Sequence, residues 1–419
     1  MGLLILVAYF SIYVGLVTTV FFALSYLYGE KRRVPLFKDR ELPKVSIIIP
    51  ACNEEKSTVK TLESILGVDY PKNKFEVIFV DDGSKDNTLK IARKFEGNHD
   101  GKVVKVFTKK NGGKASALNL GISHATGKII FSMDADTYVE KDAVIKMTRY
   151  FKDDDVMCVA PAMVVSNPKG ILQRIQYMEY MLGIFLRKSF ASLNALSVTP
   201  GAFSAYRKEF FDKYGGYDVG NITEDLEVAL RIQSNHFIIQ NCPEAVAYTN
   251  TPNKFRDLLN QRKRWYVGLI KNSWNYRKLI SKQYGDMGVF VMPVVWLSIL
   301  VSIAMVVYFI VDSSQRIYRE ILFLKAINFN IFNFSSFNEF FLESFLFDLF
   351  TNPLFVFFMI FMVVIGFYLH YASKKVGKVK GLIISLPIYL IFFALLFGFW
   401  WVVSVIYVIF DRKVIWKEQ

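Results

Sequence analysis

The chain has 419 residues, enough for two or three domains and a sizeable core. Its hydrophobic fraction of 53% is high for a soluble protein, and the excess lies at the two ends, which argues for membrane segments. The net charge of +14 suits anionic headgroups and an anionic substrate; with no nucleic-acid motif beside it, no nucleic-acid partner is expected.

Residues 3–28 are apolar throughout and long enough to cross a bilayer, which takes about 20 residues. A signal peptide would carry basic residues before the apolar run and a small-residue cleavage site after it, and neither is present. Lys31, Arg32 and Arg33 follow instead, so the positive-inside rule puts the next segment in the cytoplasm. Residues 1–28 are therefore read as a transmembrane anchor and residues 29–43 as a cytoplasmic basic linker. Cys52, Cys158 and Cys242 are odd in number and form no C-x-x-C, as expected of free thiols in a reducing compartment. Four scattered histidines offer no zinc site.

From residue 44 to 250 strand-like runs at 45–50, 75–80, 103–108, 129–132 and 156–160 alternate with helical patterns at 56–66, 88–95, 115–125 and 143–151. Such alternation predicts an α/β domain with a mixed, mostly parallel sheet covered on both faces. Ligands of such sheets sit at the carboxyl ends of the strands, and the polar motifs fall there. The first run ends in Pro50-Ala-Cys-Asn-Glu-Glu55 and the second in Asp81-Asp82-Gly-Ser-Lys-Asp86. The latter could be a structural turn with a helix cap, or a pair of carboxylates accepting hydrogen bonds from a nucleobase or ribose. Asn111-Gly-Gly-Lys114 precedes a helix, so backbone N–H groups can approach an anion with Lys114 as a point charge; the spacing is not that of a Walker A loop. The fourth run stops at Asp134-Ala-Asp136, where two carboxylates repel unless a cation lies between them. A hard divalent ion, Mg²⁺ or Mn²⁺, bearing phosphate oxygens would supply that charge.

Further on, Thr223-Glu-Asp225 opens an amphipathic helix, where acids are favourable on electrostatic grounds alone. Residues 251–287 read as interfacial amphipathic helices, with Gln261-Arg-Lys-Arg-Trp265 interleaving basic and aromatic residues. A second amphipathic segment, 171–189, is expected to rest on the bilayer. Residues 288–419 read as a C-terminal membrane domain with spans near 289–311, 354–371 and 382–410, and Lys374, Lys375, Lys378 and Lys380 mark a cytoplasmic loop. The last run is long for one helix and short for two, and Pro387 offers a break for a hairpin that would return Arg412, Lys413 and Lys417 to the cytoplasm. Residues 321–350, rich in Phe and Asn, look interfacial or re-entrant.

The motifs from Val45 to Glu55, Val80 to Thr88, Asn111 to Gly127 and Ser132 to Thr137, in this order and spacing, resemble the nucleotide-sugar half of a family 2 glycosyltransferase with the GT-A (Rossmann-like) fold. Pro200-Gly-Ala-Phe203, Thr223-Glu-Asp225 and the Q-x-x-R-W motif at Gln261 are similar to those of membrane-embedded polysaccharide synthases, including the cellulose, hyaluronan, chitin-oligosaccharide and poly-N-acetylglucosamine types. The resemblance spans residues 44–273. It implies a metal bound directly by Asp136, with Asp134 on the metal or the ribose. It further implies nucleotide-sugar contacts from Pro50, Asn53, Glu54, Asp81, Asp82, Lys114, Asp134, Gln261 and Arg264. Gly201, Phe203 and Trp265 would face the acceptor, Asp225 would be the general base, and Glu224 would stand second for that role.

The activity so implied is inverting transfer from a UDP-sugar, leaning to UDP-GlcNAc or UDP-glucose, onto a growing polysaccharide at the cytoplasmic face of the cell membrane, with possible export through the spans. Transfer of one sugar to a polyprenyl phosphate or other lipid is the alternative. A transporter or non-catalytic nucleotide-binding protein fits poorly, because the spans at 3–28, 289–311 and 354–371 are nearly devoid of ionisable groups. Oligomeric state is open.

Overall fold

A computed structural model describes residues 2–29, 36–326, 347, 353–377 and 381–412. The strands are β1 (Val45–Ala51), β2 (Phe75–Asp81), β3 (Gly97–His99), β4 (Lys102–Thr108), β5 (Ile129–Met133), β6 (Tyr138–Val139), β7 (Val156–Val165), β8 (Phe203–Arg207) and β9 (Ile238–Thr249). They form one nine-stranded sheet in the order β3-β4-β2-β1-β5-β8-β7-β9-β6. The three longest ladders, β7–β9, β1–β2 and β2–β4, are parallel, and β3, β6 and β8 join antiparallel. The fold is thus mixed α/β, as expected.

The helices are α1 (Gly2–Gly29), α2 (Thr58–Leu66), α3 (Thr88–Arg93), α4 (Lys114–His124), α5 (Ala143–Thr148), α6 (Ile171–Ser192), α7 (Lys208–Tyr214), α8 (Glu224–Ser234), α9 (Phe255–Asn275), α10 (Met292–Ala326), α11 (Pro353–Val376) and α12 (Leu382–Ile409). Strand periodicity divides the core. Ile47, Ile49, Val77, Phe79 and Phe131 pack with Leu62 and Ile65 of α2 on one face. Ile48, Ile78, Val80 and Ile130 pack with Ala117, Leu118 and Ile122 of α4 on the other. Alternate residues of each strand therefore lose water on both sides, which is why β1 and β2 are apolar runs rather than alternating ones.

α6 lies between the sheet and the terminal helices. Its Ile175, Met178, Met181 and Phe185 share a buried cluster with Ala162 and Val164 of β7, Tyr26 of α1, and Tyr368 and Leu369 of α11; the Phe185 and Tyr368 rings stack at 4.0 Å. Each such side chain contributes roughly 1.5–3 kcal/mol on burial. The apolar face expected to rest on lipid is covered by protein instead. A local hydrophobic pattern reports that a face is buried, not what buries it.

Among the described residues, the helical stretches Tyr9–Leu27, Met287–Ala326 and Phe355–Val376 are long and apolar enough to cross a membrane. The apolar part of α10 gives way near Asp312 to a charged extension, so the expected span near 289–311 is its first half. Residues 382–409 form a single helix running through Pro387, so the hairpin alternative falls. At 1.5 Å per residue this helix is about 42 Å long, ample for a tilted crossing. Of the stretch 321–350, residues to Ala326 belong to α10; apart from Phe347 the rest lies outside the described residues, as do Lys31, Arg32, Arg33, Lys378, Lys380, Lys413 and Lys417.

Candidate active site

Three loops converge at the carboxyl ends of β1, β2 and β5. Beyond β1, Asn53 takes a left-handed backbone (φ 57°) and clamps the neighbouring loop. Its N–H donates to Ser84 Oγ (3.0 Å) and its Oδ1 accepts from the Lys85 N–H (2.8 Å). Pro50 is buried within β1, past Ile48 where the β1–β5 pairing ends, so its missing N–H removes no bond to β5. Asp81 and Asp82 are both buried. Asp81 accepts from Thr108 Oγ1 (2.9 Å), whereas Asp82 accepts from the N–H groups of Gly112 (3.0 Å) and Gly113 (2.8 Å) and pairs with Lys109 (2.8 Å). Asp82 thus latches the Asn111–Lys114 turn onto the sheet. A carboxylate has about four acceptor positions, so each keeps capacity for a ligand.

That latch places Lys114, the first residue of α4, in a cage of oxygens. Its Nζ lies 2.5 Å from Asp134 Oδ1, 3.0 Å from the Gly201 carbonyl and 3.4 Å from Glu224 Oε1. Burial works against its charge, but Asp134, Glu224 and Asp225 outweigh that and hold the ammonium more firmly protonated than usual. The point charge expected from the sequence is thus shared among the acids that flank it.

Asp225 sits in the first turn of α8 with its carboxylate fixed from two sides. Oδ2 accepts from the Gly201 N–H (3.0 Å) and Oδ1 from the Leu226 N–H (2.9 Å). Burial, then the Glu224 charge, push its pKa up to about 6, while Lys114 and Arg264 oppose the rise. At Gly201 a side chain would displace its neighbours: a Cβ there would stand 2.7 Å from Asp225 Oδ2 and 3.1 Å from Lys114 Nζ. A carboxyl poised near neutrality beside a fixed cation can accept a proton from a hydroxyl.

Asp136 lies half-buried across from Glu54. Burial, then the Asp134 and Glu54 charges, raise its pKa to about 7, with Lys114 opposing. It borders a pocket of about 340 Å³ that Glu54, Lys60 and Tyr138 also line. Among the described residues no three His, Cys, Asp or Glu side chains gather as a complete metal site. Asp134 and Asp136 nevertheless fit a Mg²⁺ or Mn²⁺ ion of the kind that keeps only one or two carboxylates and takes phosphate oxygens for the rest. The crowding of three acids is what such a cation relieves.

α9 packs against α8 and α12 beside the site. Arg264 Nη1 donates to the Ile222 carbonyl (3.4 Å), and its charge is felt at Asp225. Gln261 Oε1 is buried with no hydrogen-bond partner among the described residues. The guanidinium of Arg262 lies 4.4 Å from the Trp265 ring centroid and 5.3 Å from that of Trp400 in α12. Arg262 also pairs with Glu179 of α6 at 2.6 Å. Sequence reasoning passed over Arg262 and Glu179, whose pairing joins helices far apart in the chain. Phe203, expected at the acceptor, is fully buried and stacks on Phe131 at 5.4 Å, so it is a core residue. It opens β8 on the inward face, which the Pro-Gly-Ala-Phe motif does not reveal.

Residues 46–215 match the family described as glycosyl transferase family 2. The poly-beta-1,6-N-acetyl-D-glucosamine synthase of Staphylococcus epidermidis is 30% identical over 319 residues, 73% of either chain. The probable glycosyltransferase YdaM of Bacillus subtilis is 31% identical over 57% of this chain and 58% of its own. The mannosyltransferase PcManGT of Pyrobaculum calidifontis, solved with GDP-Man and Mn²⁺, shares the fold with a TM-score of 0.64 at 16% identity, covering 97% of this chain and 100% of its own.

Proposed function

The chain belongs to glycosyl transferase family 2, and from that premise we propose that it moves a sugar, with inversion, from UDP-GlcNAc or UDP-glucose to a growing polysaccharide at the cytoplasmic face of the cell membrane. The observation that carries the proposal is the shared cage: one half-buried lysine and one glycine join Asp225 to Asp134, so base and leaving-group site are held as a unit. The relative matched over 73% of the chain, a poly-N-acetylglucosamine synthase, favours a polymer product and GlcNAc as the sugar.

In this scheme the acceptor hydroxyl oxygen attacks C1 of the donor sugar, and the C1–oxygen bond to the β-phosphate breaks with its electrons leaving on UDP. The hydroxyl proton passes to Asp225, whose elevated pKa suits acceptance near neutral pH. Fixing base and donor in line supplies the proximity term that makes a bimolecular step effectively unimolecular. A Mg²⁺ or Mn²⁺ held by Asp136 and Asp134 would act as a Lewis acid on the diphosphate. Arg264 adds charge from α9, and Trp265 offers a ring to the acceptor. The pocket beside Asp136 and the clamp at Asn53 are read as the nucleotide-sugar side.

A screen of radiolabelled nucleotide sugars tests the proposal, reading UDP release and product size together. A long polymer from one UDP-sugar is expected. A product no larger than one sugar on a lipid overturns the polymer, and release from none of the donors overturns the transferase.

A further inference from the structure

One face of α9, continued by Tyr276, meets the turn before α8 and the first turn of α8. Arg264, Gly268, Asn272 and Tyr276 recur at every fourth position and so form a single stripe. Arg264 donates to the Ile222 carbonyl. Gly268 lets the helix approach Thr223 so closely that a Cβ would stand 2.2 Å from Thr223 Oγ1. Asn272, 1% exposed, donates from Nδ2 to Thr223 Oγ1 (2.9 Å) and Asn221 Oδ1 (2.9 Å), and its Oδ1 accepts from Asn221 Nδ2 (2.8 Å). Tyr276, just past the helix end, donates to Glu227 Oε1 (2.5 Å).

The Asn221–Thr223 turn is itself closed by the Thr223 N–H on Asn221 Oδ1 (3.1 Å). A buried amide is costly unless its donors and acceptor are met, and the Asn272 side chain meets them in this one turn. Asn272 thereby holds the turn from which α8 starts.

We infer that Asn272, with Gly268 giving it room, is a positioning residue for Asp225, setting the carboxylate against the Gly201 N–H and Lys114. The inference rests on Asp225 being the base. Its consequence is a variant whose chemistry suffers while donor binding, made at the far loops, does not.

The test uses the full-length enzyme in membranes and compares Asn272→Ala, Gly268→Ala and Asp225→Asn. For Asn272→Ala a fall in kcat of about tenfold to a hundredfold is expected, the scale of a small displacement of a reacting group. Donor KM and UDP affinity should stay within about twofold, and the acid limb of kcat/KM should move, because it reports the protonation of the free enzyme's base. An unchanged acid limb, or loss of UDP affinity in step with kcat, overturns the assignment. If Asn272→Ala does not fold, Gly268→Ala, which wedges a methyl against Thr223, must show the same split, and full kcat there overturns it. An inactive Asp225→Asn beside a fully active Asn272→Ala removes this assignment alone; an active Asp225→Asn removes the base reading and this one with it.

Discussion

Gly201→Ala is a sharp perturbation of the cage because it adds one methyl and no charge. That methyl would stand 2.7 Å from Asp225 Oδ2, well inside van der Waals contact, so the carboxylate or the Pro200–Ala202 turn must move. Either movement breaks the 3.0 Å bond from the Gly201 N–H to Oδ2. A hydrogen bond to a charged group contributes about 1.5–3 kcal/mol. At 1.36 kcal/mol per unit, its loss raises the Asp225 pKa by about one to two units above its wild-type position near 6. The base acts deprotonated, so wild-type kcat/KM should climb with pH through about 6 and then level. In Gly201→Ala the climb should move to higher pH. A displaced base should also lower the plateau by about a hundredfold. The assay is initial-rate UDP release in buffers from acid to mildly alkaline pH, with donor saturation checked at each point. A variant with the wild-type midpoint and plateau would refute the geometry assigned to Asp225.

Asp225→Asn should abolish transfer, a loss of about a hundredfold to ten-thousandfold for a missing general base, while UDP binding stays largely intact by equilibrium titration; lost UDP binding would move Asp225 out of the base role. Asp136→Ala should remove the metal-dependent part of UDP affinity, and unchanged affinity with Mn²⁺ present would count against the metal site. Glu76 gives a stability prediction: burial alone would raise its pKa, yet Lys105, Ser46 and Thr126 hold it down at about 2. Its folded pKa lies below its unfolded one, so its contribution is full above the unfolded value and fades as pH falls through about 2. Glu76→Gln should therefore cost on the order of 2 kcal/mol near pH 7, discounted for the exposed Lys105 end, with the gap closing in acid as read by denaturant midpoints.

The half of the fold that uses local, continuous signals was legible in the chain. β1, β2 and β5 lie where apolar runs end in acids, because a strand buried on both faces must be apolar until its end reaches ligand or water. β9 was not legible, since Asn241, Pro243 and Glu244 interrupt it and it accommodates them with a bulge opposite Pro161 and Ala162. Asp134, Lys114 and Asp225 could be picked out as charged groups at motif positions, but their sharing of one cage depends on β5 pairing with β8, a contact some 70 residues apart that no local pattern encodes. Phe203 was misplaced for the same reason. Side-chain direction in a strand follows register, and register is set by the partner. The α9 stripe shows the converse: Gly268 and Asn272 are visible at helical spacing from Arg264, yet a small and a polar residue on a helix carry no meaning until Thr223 is seen against them.

α9 is held on two sides at once, by Thr223 and Asn221 on one and by Glu179, Trp400 and Trp401 on the other. The sheet closes with β9 at Thr249, before α9 begins, so the unit that folds around the sheet and the unit that works end at different residues. A chain cut after Asn250 keeps every strand and every acid of the cage but loses the backing of the turn that carries Asp225. A chain cut after α9 regains that backing and strips Arg262 of its indole partner in α12. Protease-resistant core and competent enzyme are therefore separate measurements for this protein.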